Sequence, residues 1–402
     1  MSMIAYGKQM IGLEDVAAVE RALLSQFLTC GPEVEAFENE IAARTGAKHA
    51  IAACNATAAL HLAVMAGGVK AGERVVTSPN TFLASANCVA YAGAIPDFVD
   101  INPASGNMDP EQLESRWKPD TTAVIAVDFA GQAANMPEIA AIARRNGALV
   151  VEDASHSVGG ALFHEGAFHQ IGGHPWADIT IFSFHPVKTL TTGEGGMLLT
   201  SNDEIAAGAR RLRTHGMERD ASLFHGFGVE SGPLAEVGPW VYEMQDLGYN
   251  YRITDLQCAL GRAQLGRLDS FLNRRRLIVA QYNAAFDGLS WLRTPRLERE
   301  EERESTSWHL YSTWMDFEWL GRSRTAVMAE LRDQGVGSQV LYIPVYLQPW
   351  YRRTYGYKPG YCPRAETLYA GALSLPLHPG MTDGDVKTVI EAVLNLAKNG
   401  VC

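Results

Sequence analysis

From about residue 48 to residue 200, short apolar runs alternate with longer stretches of helical periodicity. The runs His49–Cys54, Arg74–Ser78, Ile95–Val99, Ala123–Asp128, Leu149–Asp153, Ile179–Phe184 and Met197–Thr200 are rich in Val and Ile and bounded by Gly, Pro, Asn or Asp. That pattern predicts strands. Between them, stretches such as Ala58–Ala66, Phe82–Ala92 and Met136–Arg145 read as helices. Continuously apolar strands alternating with helices specify an α/β fold with a mostly parallel sheet covered on both faces. In such sheets ligands bind outside the carboxyl ends of the strands.

After Thr200 the pattern changes. Residues 226–240 form a Gly/Pro-rich excursion of the kind that functional loops use. Thr254 and Gln257 make a capping-box pair, and apolar residues at Leu256, Leu260, Ala263, Leu268, Leu272 and Ile278 predict one long helix behind it. The charge run 296–305 reads as a solvated segment. The rest of the C-terminal stretch has the apolar content of a small α+β domain. The expected division is 1–275 for a large domain and 276–402 for a small one.

Composition narrows the function classes. The 402 residues carry 34 Lys+Arg against 45 Asp+Glu, a net charge of −11, which argues against general attraction to nucleic acid or anionic membrane. An anionic ligand then needs local donors. Six cysteines, with no CxxC pair and no His at zinc spacing, predict reduced thiols and a cytoplasmic setting. There is no apolar leader at the start and no uninterrupted apolar run long enough for a membrane span. His164, His169 and His174 recur every five residues, which suits neither a helix face nor a strand face, so no metal site is expected there. Trp240, Trp308 and Trp350 read as packing groups or pocket walls.

Three sites at predicted strand ends carry candidate chemistry. At Cys54-Asn55-Ala56-Thr57-Ala58, small residues and a hydroxyl open a helix, and its unpaired N–H groups suit a phosphate; the plainer alternative is an ordinary N-cap. Val150-Val151-Glu152-Asp153-Ala154-Ser155-His156 ends an apolar strand in a carboxylate able to keep a heteroaromatic nitrogen protonated; the plainer alternative is a turn cap. Ser183-Phe184-His185-Pro186-Val187-Lys188, followed by Thr191-Thr192-Gly193-Glu194-Gly195-Gly196, places a lysine among small and apolar residues. Desolvation there would favour the neutral, nucleophilic amine. Most lysines are only surface charges. Phosphate cradle, acid and lysine in that order nevertheless describe pyridoxal phosphate chemistry.

These residues carry a resemblance. The segments 183–196 (SFHPVKTLTTGEGG), 247–265 (LGYNYRITDLQCALGRAQL) and 342–351 (YIPVYLQPWY) resemble the DegT/DnrJ/EryC1/StrS sugar aminotransferases, over nearly the whole chain. The resemblance implies the aspartate-aminotransferase fold (fold type I), with a seven-stranded large-domain sheet and a smaller C-terminal domain. It implies pyridoxal 5′-phosphate as cofactor, glutamate as amino donor and a nucleotide-linked keto sugar as acceptor. The nearest flavour is the enzymes that aminate UDP-linked 4-keto-6-deoxy sugars on the way to pseudaminic acid; a dTDP-sugar or a longer sugar acid is the alternative acceptor.

The resemblance also implies roles. Lys188 matches the lysine that carries the cofactor and shuttles the proton. Asp153 matches the pyridine-nitrogen partner, His156 the residue near the phenolic oxygen, and Phe82 the aromatic stacked on the ring. Ser183 and the Ala56-Thr57-Ala58 turn match phosphate ligands. Asn250 matches a residue reaching the phosphate from a neighbouring subunit, with Arg252 beside it, which implies a homodimer with shared active sites. His185, Arg252, Leu341 and Tyr346 fall in segments expected to face the substrate. The family usually has Gly where Ala56 stands, and close relatives tend to have His where Leu341 and Tyr346 stand. Related dehydratases have a histidine in place of the lysine, so Lys188 points to transamination. A pyridoxal-phosphate-dependent transcriptional regulator would need a basic DNA-binding module that neither the net charge nor the domain count supplies.

Overall fold

The computed structural model describes residues 3–226 and 238–398; most of the Gly/Pro-rich excursion lies outside the described residues. Nine strands occupy the first half of the chain: β1 (His49–Ala53), β2 (Arg74–Thr77), β3 (Ile95–Phe98), β4 (Thr121–Val127), β5 (Leu149–Asp153), β6 (Ala161–His164), β7 (Ala167–Gln170), β8 (Ile179–Ser183) and β9 (Gly196–Thr200). Seven of them form one sheet in the order β1-β9-β8-β5-β4-β2-β3. Its pairings are parallel except where β9 runs against β1 and β8. All seven predicted strands are in this sheet.

The side-chain period of two explains why those runs are mostly apolar on both faces. In β4, Val124 and Ala126 face one core while Ala123 and Ile125 face another; in β5, Val150 and Val151 divide the same way. Each face is covered, Met136–Arg145 packing on one side and Ala56–Ala66 on the other. Both faces are buried, so a regular exposed polar face is missing from these strands. The carboxyl ends of β1, β2, β4, β5 and β8 therefore open on a common edge, where β9 begins.

Strands β10 (Met217–Glu218) and β11 (Glu243–Met244) make a short ladder. A second, three-stranded antiparallel sheet follows, of β12 (Leu292–Arg293), β13 (Tyr311–Met315) and β14 (Ala372–Leu375). It shares a third core with the helices Arg324–Asp333 and Asp383–Lys398. No described helix is long and apolar enough to cross a membrane.

The single long helix predicted after Thr254 is two helices. The capping box forms as expected, but Asp255–Leu265 ends at Gly266, and Leu268–Phe286 starts after Arg267, whose backbone leaves the helix and whose guanidinium bonds Asp15 and the Met10 carbonyl. The apolar stripe is shared out: Leu256 and Ala263 meet the N-terminal helix, Leu268 and Leu272 the sheet's core, and Ile278 the C-terminal core. Leu268–Phe286 thus runs unbroken through the expected boundary at 275, where the guanidinium of buried Arg275 donates to the carbonyls of Trp308, His309 and Leu377.

The charge run is not simply solvated. Its Glu302 is 1% exposed, accepts from the Phe163 N–H at 2.9 Å and pairs with Arg299, tying a short 3-10 turn to β6. The histidine-bearing loop is in part the β6–β7 hairpin, and His164, His169 and His174 gather around Trp176. His174 is buried; burial alone would keep it neutral, but the Glu152 carboxylate 3.0 Å from its Nε2 overrides this and raises its pKa. Trp308 is buried, whereas Trp240 and Trp350 are exposed. The five described cysteines are free thiols.

Candidate active site

A cleft of about 500 Å³ opens at the carboxyl edge of the large sheet, lined by residues at the strand ends and by Tyr6, Leu341 and Tyr342 from the two ends of the chain. At the end of β1, Asn55 caps the helix Ala56–Ala66 by accepting the Ala58 N–H at 2.8 Å. The N–H groups of Ala56 and Thr57 have no partner among the described residues and border the cleft. The plain N-cap and the phosphate cradle therefore coexist, because one cap oxygen cannot satisfy a whole first turn. Ala56 starts the helix and does not have a positive φ, so this position needs no glycine. The glycine requirement sits opposite, at Gly196, where a Cβ would lie 2.6 Å from the Ala56 nitrogen.

Asp153 ends β5, almost fully buried. Its Oδ2 accepts from the Ser85 hydroxyl at 2.6 Å and its Oδ1 from the Ser155 N–H at 3.2 Å, which orients the carboxylate along the cleft floor. Ser183 ends β8, the neighbouring strand. Beyond it the chain turns tightly: the Lys188 N–H bonds the His185 carbonyl at 2.9 Å, and Thr191 and Thr192 both bond the Phe184 carbonyl. Lys188 keeps partial solvent contact through the cleft, but protein crowds its ammonium. Desolvation lowers its pKa to about 8, with the Asp153 charge opposing the shift. A sizeable share of neutral amine near neutrality is what a carbonyl-capturing lysine needs.

Around this floor stand Phe82, His156, His185, Leu341 and Tyr342. Phe82 is 57% exposed, unusual for a phenyl ring unless something covers it. The buried His156 ring lies between the Ala130 N–H, 3.3 Å from its Nδ1, and the Tyr342 hydroxyl, 3.2 Å from its Nε2. Burial, then the neighbouring Lys188 charge, hold its pKa well below the ordinary value.

The structure thus gathers Ala56, Thr57, Phe82, Asp153, His156, Ser183, His185, Lys188 and Leu341 at one cleft; Ala58 is the next residue along the same turn, its N–H taken by Asn55. Three expected residues lie elsewhere. Tyr346 is fully buried against Phe98, its hydroxyl bonded to Glu366, so it does not face the cleft. Asn250 is exposed, bridged to Thr214, and neither it nor Arg252 lines the cleft of its own chain. Sequence reasoning passed over Tyr342, Ser85, Tyr6 and Glu194. Tyr342 opens a motif already singled out, beside Leu341, and Ser85 lies three residues after Phe82. Nothing in the sequence signalled Tyr6, which reaches the cleft from the far N-terminus.

The residues present fit pyridoxal phosphate. Unclaimed helix-start N–H groups and a Ser hydroxyl suit the phosphate, a buried carboxylate suits a pyridine nitrogen, and a lysine with lowered pKa suits the aldehyde. With the fold type I sheet, this makes the protein a pyridoxal-phosphate-dependent aminotransferase. The chain belongs to the DegT/DnrJ/EryC1/StrS aminotransferase family, whose profile matches residues 9–394, and it is a sugar aminotransferase. It is 40% identical over 396 residues to the spore coat polysaccharide biosynthesis protein SpsC of Bacillus subtilis, covering 98% of this chain and 97% of the relative. Among solved structures it resembles PseC of Helicobacter pylori, an aminotransferase involved in pseudaminic acid biosynthesis, with a TM-score of 0.88 at 26% identity over 99% of this chain and 100% of that one. The pyridoxal-phosphate form of the putative sugar aminotransferase Spr1654 of Streptococcus pneumoniae matches with a TM-score of 0.87 at 26% identity over the full length of both chains.

Proposed function

We propose that this enzyme converts the keto group of a nucleotide-linked sugar to an amine with glutamate as donor, the acceptor being a UDP-linked 4-keto-6-deoxy-N-acetylhexosamine aminated at C4. The observation that carries the reading is whole-chain similarity to PseC combined with a cleft mouth walled by Phe82, Leu341 and Tyr342. Apolar and aromatic walls suit a sugar ring better than a second dicarboxylate. The bound cofactor supplies an electron sink for the carbon that bears the amine. Asp153 would keep a proton on its pyridine nitrogen, and the Ala56 and Thr57 N–H groups with Ser183 would hold its phosphate. Nζ of Lys188 would hold the cofactor at its aldehyde and, once free, would move the proton off the donor carbon and, in the second half, onto the sugar carbon.

One chain leaves the site short of cations. Among the described residues its cleft lining contains Lys188 and no arginine, although phosphate and donor carboxylates must be held together. We infer that Asn250 and Arg252 act across a homodimer. Leu13, Leu24 and Leu247 are 78–88% exposed, apolar surface that a second subunit would cover. Lys188→Ala and Arg252→Ala proteins, each inactive, test this when unfolded, mixed and refolded. Shared sites return about a quarter of wild-type activity for a twofold dimer; no recovery with mixed dimers present overturns them. A cytoplasmic setting accords with the free thiols.

The acceptor is tested by offering a panel of nucleotide-linked keto sugars to the pyridoxamine-loaded enzyme. Loss of the pyridoxamine absorbance with a UDP-linked 4-keto-6-deoxy sugar supports the reading; loss only with a dTDP-sugar or a longer sugar acid overturns the UDP assignment. The similarity to SpsC favours a second reading of the product's destination, an amino sugar for a surface polysaccharide.

A further inference from the structure

Tyr342 enters the cleft from the C-terminal half of the chain and has no assigned part in the reaction. Its surroundings are unusually determined. Ala130 has φ of 59°, a left-handed conformation that costs a non-glycine residue about 1 kcal/mol or more. Gly131 follows at φ of 96°, where a Cβ would lie 2.7–2.8 Å from the backbone nitrogens of His309 and Trp308. This packed corner aims the Ala130 N–H at Nδ1 of His156. His309 lies over the same imidazole, ring centroids 4.4 Å apart, and Tyr342 is near-parallel to it on another side, at 19°.

The hydrogen bonds have a direction. A backbone N–H can only donate, so Nδ1 of His156 is the acceptor and carries no proton. The neutral ring then keeps its proton on Nε2, which donates to the Tyr342 oxygen 3.2 Å away. A tyrosine hydroxyl that accepts from one side still has its own proton to give. Burial, with Asp153 and Tyr6 adding to it, raises the Tyr342 pKa, so that proton stays in place.

From this geometry we infer that Tyr342 is a hydrogen-bond donor of the site, its hydroxyl proton turned into the cleft toward an oxygen acceptor carried by the bound cofactor or by the substrate. His156 is its positioning residue, fixing the direction from the Ala130 backbone outward. The inference rests on the cofactor reading of the cleft.

Tyr342→Phe tests it, because the ring stays and only the donor goes. Apoprotein is loaded with pyridoxal 5′-phosphate, and the visible absorbance is titrated with pH in the absence of substrates. If the acceptor is an anionic cofactor oxygen, losing its donor raises the midpoint by about one to two pH units. If the acceptor is on the substrate, the midpoint stays and KM for that substrate rises on the order of ten- to hundredfold with cofactor affinity unchanged. A midpoint and KM values both at wild-type level in a variant of wild-type melting temperature overturn the inference. His156→Gln, which keeps an N–H for Tyr342, shifts the midpoint or the KM less than His156→Phe does. In the Tyr342→Phe background, His156→Phe has less effect than in wild type; full additivity overturns the relay. Should Tyr342→Phe fail to fold, equal losses in His156→Gln and His156→Phe overturn it.

Discussion

The lowered pKa of Lys188 sets the pH at which the apoprotein takes up its cofactor. At about 8 instead of the ordinary 10.5, the amine is neutral in about one molecule in ten at pH 7, where an unperturbed lysine would be neutral in about one in three thousand. Because only the neutral amine attacks an aldehyde, capture is about three hundredfold faster than at a solvated lysine of equal access. Rapid mixing of apoprotein with pyridoxal 5′-phosphate from pH 6 to 10, followed by the growth of visible absorbance, measures it; the cofactor's own ionisations are recorded in the same buffers. The rate constant is expected to climb tenfold per pH unit and level off above about 8. Asp153 opposes the shift, so Asp153→Asn moves the plateau to lower pH even as it impairs later proton transfers. A wild-type rate that still climbs tenfold per unit at pH 9–10 refutes the desolvation argument. So does an upward shift in Asp153→Asn.

Lys188→Ala is expected to abolish turnover with the melting temperature little changed, since the side chain supports no packing core; retained turnover in purified protein refutes the assignment. Gly196→Ala places a methyl 2.6–2.7 Å from the Asn55–Ala56 backbone, a clash costing roughly 1–3 kcal/mol, and should weaken pyridoxal 5′-phosphate binding about tenfold or more in an equilibrium titration. Leu341→His should leave glutamate-driven pyridoxamine formation near normal while changing kcat/KM among keto sugars; an unchanged acceptor profile means Leu341 is only a wall.

The large sheet was legible because its strands are buried on both faces and leave a largely apolar signature, uninterrupted at Ala123–Val127. Asp153 and Ser183 were legible for a related reason, because polar residues closing apolar strands stand out, and Lys188 because it is a lysine set among small and apolar residues just beyond β8. The break at Gly266 was not, because the same apolar spacing continues across it while the three helical surfaces serve three different neighbours. Glu302 looked like one charge among many, and only the fold brings Phe163 and Arg299 to it. Tyr342 and Tyr346 show the limit most sharply. Four positions apart in one motif, they point to opposite fates, one into the cleft and one into an aromatic core with Phe98 and Tyr357. The short turn Val345–Leu347, which carries Tyr346, has no periodicity from which that could be read.

The helix Leu268–Phe286 bears on how the enzyme meets its substrates. Lys188 and Asp153 belong to the sheet, Leu341 and Tyr342 to the C-terminal half, yet a continuous rod joins the two halves. At its middle, Arg275, still charged near neutrality although burial lowers its pKa to about 10, holds three carbonyls of the C-terminal half. Swinging one half about this point would strand a buried cation, a costly event. Opposing walls of the cleft are therefore held at a set distance before anything binds. Binding energy need not be diverted into closing a domain and stays available for the transition state. Entry and exit then fall to local movements at the mouth, where Phe82 already stands exposed.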